Sequence, residues 1–206
     1  MKVKICGLCT EEAVLAAEDA GADFLGFIFY VKSHRHVLPE EVRGLTKHVR
    51  RAKRVGVFVD APLDAVNAAA DFCSLDFVQL HGHESAAYAR AVCRPVIKAF
   101  RWGDDFSAEK ANEYPAEIIL LDSFSKDAVG GTGQRFRWRE AAEETVRLEK
   151  PLLVAGGIAS GNVRKAEEVF RPYGVDVSGS LEIEKRKSVE RIREFMAVVQ
   201  KRRIPE

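Results

Sequence analysis

Two cysteines three positions apart, Cys6 and Cys9, sit in the stretch VKICGLCT at residues 3–10. Such a pair between a strand and a helix can exchange electrons, form half a metal site, or hold one working thiol beside a bystander. Cys73 and Cys93 lie twenty residues apart, so no second Cys-x-x-Cys completes a zinc site. Asp122 ends the apolar run EIILLD. It reads either as a helix cap or as an acid at a strand end, and the cap is disfavoured because no helical pattern follows for about a dozen residues. The intervening SFSKDAVGGTGQRF carries Gly130, Gly131 and Gly133 and reads as a candidate lid. Arg35 lies between His34 and His36, and FVQLHG sets Gln79 and His81 on one strand face. The spacings His34-x-His36 and His81-x-His83 invite a metal, but a lone pair is weak, and surface histidines account for His34, His36 and His83. Lys98, in VIKAF, has no apolar reason to be mid-strand and is expected to stretch up the interior toward ligand or a carboxylate. Gly156 and Gly157 follow LLVA, and Ser178, Gly179 and Ser180 follow GVDV. Backbone amides of two such turns can converge on an anion.

Positioning these groups requires a repeating scaffold. Short apolar or β-branched runs near residues 2–6, 24–29, 54–59, 76–80, 95–100, 117–121, 151–155 and 174–177 alternate with helical patterns at 11–21, 39–51, 62–72, 84–93, 106–114, 138–150, 160–173 and 188–203. Eight strand–helix units without a linker predict an α/β fold of one domain, residues 1–206, a single (β/α)8 barrel. Catalysis is then expected at the strand C-termini, with phosphate held after strands seven and eight. In KVKIC, period-2 alternation turns Val3 and Ile5 outward and Lys2, Lys4 and Cys6 inward, so Cys6 reaches the inner rim.

Composition narrows the partners. With 47% hydrophobic residues the 206-residue chain can bury a sizeable core. Lys and Arg number 32 against 31 Asp and Glu, which advertises neither nucleic acid nor an acidic membrane. Basic clusters at 50–54 and 201–203 read as solvated helix ends. No apolar run approaches about 18 residues and no export signal is present, so a cytoplasmic address with reduced cysteines is expected. Monomer and homodimer both stay open.

Taken in order, KICGL at 4–8, GFIFYVKSHR at 26–35, GVFV at 56–59, QLHG at 79–82, KAF at 98–100, LLDS at 120–123, GGTG at 130–133, AGGI at 155–158 and RPYGVDVS at 171–178 closely resemble the phosphoribosylanthranilate isomerase family. The resemblance implies a cofactor-free and metal-free Amadori rearrangement of a phosphosugar in tryptophan biosynthesis. By matching motifs it makes Cys6 the general base, Asp122 the general acid and Arg35 the receptor of the anthranilate carboxylate, with His81 near the site. Gly156, Gly157, Ser178, Gly179 and Ser180 then hold phosphate, and Cys9 becomes the bystander. An inward Lys4 one pleat below Cys6 is a source of positive potential for its thiolate. The chain departs from the family where DVSSG is usual, having Asp176-Val-Ser-Gly-Ser180, and where Pro-Gly usually precedes Lys, having Glu184-Lys-Arg-Lys187. Two other readings compete: another sugar-phosphate barrel, and a phosphosugar-binding barrel without catalysis. The first leaves KICG unexplained, and the second leaves Cys6 and Asp122 without a task.

Overall fold

The structure is a computed structural model that describes residues 1–103, 106–122 and 133–201. Eight parallel strands close into a barrel: β1 Lys2–Cys6, β2 Phe24–Ile28, β3 Lys53–Phe58, β4 Phe77–Leu80, β5 Val96–Arg101, β6 Ile118–Asp122, β7 Leu152–Ala155 and β8 Gly174–Val177. Their ends fall within one residue of the sequence expectation. The helices α1 Glu11–Asp19, α2 Pro39–Leu45, α3 Leu63–Phe72, α4 Ala86–Ala91, α5 Ala108–Glu113, α6 Gly133–Thr145, α7 Val163–Phe170 and α8 Val189–Gln200 follow in turn. Several begin on a side-chain cap: Thr10, Ser85, Ser107 and Ser188 accept the backbone N–H of Ala13, Tyr88, Lys110 and Arg191. Each cap satisfies a donor the first helical turn leaves open, typically stabilising by about 1 kcal/mol.

Strand alternation sorts the core into two layers. Phe24, Val55, Ile97, Ala99, Ile118, Leu120, Leu153 and Ala155 pack together inside the barrel. Val3, Ile5, Leu25, Phe27, Val78, Leu80, Ile119, Leu121, Val154 and Val175 face the helices. A fully buried Leu, Val or Phe contributes about 1.5–3 kcal/mol, so both layers are needed for the barrel to close. Closure pairs β1 with β8, Lys4 opposite Asp176 and Ile5 opposite Val177, which brings Cys6 beside the turn after β8.

Two expectations are corrected, and an element beyond the repeat appears after β8. Lys98 does not rise through the interior: Ile97 and Ala99 take the inward positions, so Lys98 points into the layer between strands and helices. There its Nζ lies 2.8 Å from Glu84 Oε2 and 2.6 Å from the Gly82 carbonyl. The segment 50–54 is not a helix end, because α2 stops at Leu45. It leads into β3, with the Glu18 carboxylate accepting the N–H groups of Arg50, Arg51 and Ala52. Finally, a short 3-10 turn at Gly179–Leu181 and an antiparallel hairpin, β9 Glu182–Ile183 and β10 Arg186–Lys187, follow β8. Two-residue strands carry no periodicity long enough to read. Of the candidate lid at 123–136, residues 123–132 lie outside the described residues, and 133–136 belong to the start of α6 rather than to a loop.

Candidate active site

The C-terminal rim of the barrel encloses a cavity of about 450 Å³, lined by Cys6, Arg35, Gln79, His81, Asp122, Gly156, Gly157, Asp176, Ser178, Gly179 and Ser180 among others. All nine residues expected at the site from sequence meet there.

Cys6 is placed by its neighbours' small size and by charge. A Cβ on Gly26 would stand 2.8 Å from the Cys6 sulfur and 3.0 Å from its Cα, so only glycine leaves that sulfur its position. Lys4, fully buried, puts its Nζ 2.9 Å from Asp176 Oδ1, and its charge acts on the Cys6 thiol. Burial pushes the Cys6 thiol up and Lys4 pulls it down; burial wins, leaving the thiol above its ordinary value. Lys4 therefore acts in the expected direction without outweighing desolvation. Burial also raises the Asp176 carboxyl against the pull of Lys4. Cys9 is turned away: its Sγ donates to the carbonyls of Arg35 at 3.4 Å and Gly7 at 3.7 Å.

Across the cavity His81 Nε2 lies 3.9 Å from Asp122 Oδ2. Gln79 Nε2 meets His81 Nδ1 at 2.9 Å. Burial pushes the imidazole pKa down against the attraction of Asp122, so His81 is neutral at pH 7. Gln79 Oε1 is buried without a hydrogen-bond partner among the described residues.

Arg35 comes from the loop after β2 and crosses the end of β1 over Gly7. A Cβ on Gly7 would meet Arg35 Cδ at 2.3 Å, and its φ of 78° is in the left-handed region. Both oxygens of Glu182 hold the guanidinium: Nε bonds Oε1, and Nη2 bonds Oε2 at 2.9 Å. Lys187 Nζ reaches Glu182 Oε1 at 2.5 Å and Ser178 Oγ at 3.4 Å. Burial alone would raise the Glu182 carboxyl, but the bonds from Arg35 and Lys187 bring it down to about 2. Gly156 and Gly157, with φ of 86° and 69°, turn the chain after β7 in a conformation that disfavours side chains. Ser178 and Ser180 donate their hydroxyls to the carbonyls of Cys6 and Ile158, tying the turn after β8 to β1 and to the turn after β7.

Residues 3–198 match the sequence model of the family described as N-(5'-phosphoribosyl)anthranilate (PRA) isomerase. The chain belongs to this family. N-(5'-phosphoribosyl)anthranilate isomerase of Geobacter sp. strain M21 is 44% identical over 202 residues, 97% of this chain and 98% of the relative. Phosphoribosyl anthranilate isomerase of Thermotoga maritima superposes with a TM-score of 0.86 at 34% identity, covering 97% of this chain and 98% of that one. A phosphoribosyl anthranilate isomerase in complex with reduced 1-(o-carboxyphenylamino)-1-deoxyribulose 5-phosphate gives 0.84 at 33% identity over the same shares. The activity is the isomerisation of phosphoribosylanthranilate in tryptophan biosynthesis.

Within this isomerase site, sequence reading passed over Asp176, Glu182 and Lys187. Asp176 was legible, since Val175 and Val177 face the helices and alternation turns the residue between them inward. Glu182 and Lys187 had no such signal, because a hairpin closing over the rim brings them in. His34 and His83 are exposed as expected, paired with Glu182 and Asp60, while His36 is half-buried. Among the described residues no group of three or more His, Cys, Asp or Glu could hold a metal, and no helix is long and apolar enough to cross a membrane.

Proposed function

We propose that the rearrangement runs through Asp122 as general acid and Cys6 as general base. Asp122 delivers a proton to the furanose ring oxygen of N-(5-phosphoribosyl)anthranilate as the C1–O bond breaks, and the nitrogen lone pair forms the iminium. The iminium acidifies the C2 hydrogen, which the Cys6 thiolate removes; the released pair forms the C1–C2 double bond and neutralises the nitrogen. The resulting enolamine gains a proton at C1 and loses its enol proton to become 1-(2-carboxyphenylamino)-1-deoxyribulose 5-phosphate. Arg35 receives the anthranilate carboxylate, a task suited to a planar, two-pronged cation. Backbone N–H groups of the turns at Gly156, Gly157, Ser178, Gly179 and Ser180 receive the phosphate. His81, held neutral by burial, adds no competing positive charge on the acid side. A thiol base requires a reducing compartment, which fits the cytoplasmic expectation.

The observation carrying this reading is that Cys6 and Asp122 line the same cavity as Arg35 and the two small-residue turns, in a chain of this family. The test is turnover of phosphoribosylanthranilate by the wild type, Cys6→Ala, Cys9→Ala and Asp122→Asn in reducing buffer. Collapse of the Cys6 and Asp122 variants with Cys9→Ala near wild type is expected. Comparable activity of Cys6→Ala and wild type would remove the thiol from the mechanism.

A further inference from the structure

The hairpin after β8 carries two charged side chains that the steps above leave unused. Glu182 starts β9 and Lys187 ends β10, and both are shielded, with 9% and 2% of their side chains exposed. Burying an ammonium and a carboxylate is costly, so such a pair needs compensating partners. Here they form a chain from Arg35 through Glu182 to Lys187, with Lys187 also touching Ser178. Of these three charged groups, only Arg35 lines the cavity.

We propose that Glu182 and Lys187 are positioning residues for recognition of the substrate's aromatic carboxylate, an inference that rests on reading Arg35 as its receptor. Glu182 takes the Nε–Nη2 edge of the guanidinium, which leaves the Nη1 side to receive an anion. Lys187 settles the sign of the field. Without it, Arg35 and Glu182 would form a closed neutral pair with no net attraction for an incoming carboxylate. With it, two cations face one carboxylate and the trio stays attractive to an anion. His34, 3.3 Å from Glu182 Oε2 and 40% exposed, adds to this charge only when protonated.

The experiment measures binding of reduced 1-(2-carboxyphenylamino)-1-deoxyribulose 5-phosphate, and of the same compound without its carboxyl group, to the wild type, Lys187→Met and Glu182→Gln. The wild type should prefer the carboxylated ligand. In Lys187→Met that preference should fall by about tenfold, while the ligand lacking the carboxyl binds as before, which also shows that the variant is folded. In Glu182→Gln Arg35 loses its two-pronged ionic hold, so the preference should fall there too, with the ligand lacking the carboxyl again binding as before. Equal weakening of both ligands in Lys187→Met would assign Lys187 to the phosphate end or to the fold and overturn the proposal, as would no change in either. An unchanged or raised preference in Glu182→Gln would remove Glu182 as the residue that positions Arg35. A wild type that does not discriminate between the ligands would refute Arg35 as the carboxylate receptor, an outcome distinct from failure of the hairpin's role alone.

Discussion

Lys4→Met tests how the thiol of Cys6 is charged for its task. The substitution keeps most of the stem but removes an ammonium that stands 2.9 Å from Asp176 Oδ1 and acts on Cys6 by its charge. A cation at a separation of about 4 Å attracts a thiolate by about 4 kcal/mol at an effective dielectric of 20. Asp176 opposes it from the same pocket and cancels roughly half, so about 2 kcal/mol, or about thirtyfold in thiolate population, depends on Lys4. Burial already holds the thiol above its ordinary value, and losing Lys4 moves it further up. The limb of the kcat/KM profile that rises with deprotonation of Cys6 should therefore shift to higher pH, and activity at pH 7 should fall by that factor. The assay is kcat/KM against pH, paired with titration of the thiolate by its ultraviolet absorbance. Stability provides a second reading. Removing one member of a buried pair costs about 3–5 kcal/mol. It leaves Asp176 with a carboxyl that burial raises, so the folded state holds its proton more tightly than the unfolded state does. Stability of the variant should then be highest at low pH and be lost as pH rises through the folded-state value. A variant whose Cys6 titrates like the wild type, while still binding the product analogue, would refute the role of Lys4.

Other perturbations separate placement from charge. Gly26→Ala would force its new Cβ to within 2.8 Å of the Cys6 sulfur, so kcat should fall at least about tenfold with a smaller effect on substrate affinity, as expected for a misplaced base; unchanged kcat would show that the sulfur's position is not critical. Lys98→Met should destabilise by about 3–5 kcal/mol, read in urea melts, because it strands the buried Glu84 carboxylate, and the double variant with Glu84→Gln should recover part of the loss. Folded Lys98→Met should retain activity because its side chain faces the helices; collapse of activity without loss of stability would contradict that placement. Glu184 and Lys185 occupy left-handed backbone, with φ of 48° and 64°, at the hairpin turn. Replacing them by Asn-Gly should raise stability by about 1 kcal/mol, and a lower melting temperature would refute the assignment of strain to this turn.

What the sequence disclosed depended on whether a residue's position followed from a local period. Strand ends were legible because each apolar run is bounded by polar or glycine residues, and alternation placed Cys6, His81 and Asp122 on the inner face of their strands. The same rule applied to Lys98 would have turned it outward, since its neighbours Ile97 and Ala99 fill the interior. Charge chemistry left a ligand or a carboxylate open, and register decided for the Glu84 carboxylate. The family motifs supplied roles that period and composition could not. The Arg35–Glu182–Lys187 chain escaped both, because it joins the loop after β2 to the hairpin after β8, contacts 147 residues apart that only barrel closure creates.

Acid and base in one small cavity must be kept apart electrically as well as spatially. Around Cys6 the structure places Lys4 below and the Arg35–Glu182–Lys187 chain above, and both Lys4 and Lys187 pull its thiol toward the charged form. Beside Asp122 it places a histidine that burial keeps neutral. Phosphate, by this reading, goes to glycine and serine turns whose donors are uncharged amides, so the cations near Cys6 need not be diverted to neutralise it. The carboxylate that Arg35 receives would bring negative charge toward the base, and the surplus cation on Lys187 offsets it. On this view the hairpin, although it contacts no reacting atom, lets one pocket bind an anionic ring and still hold a thiolate a short distance away.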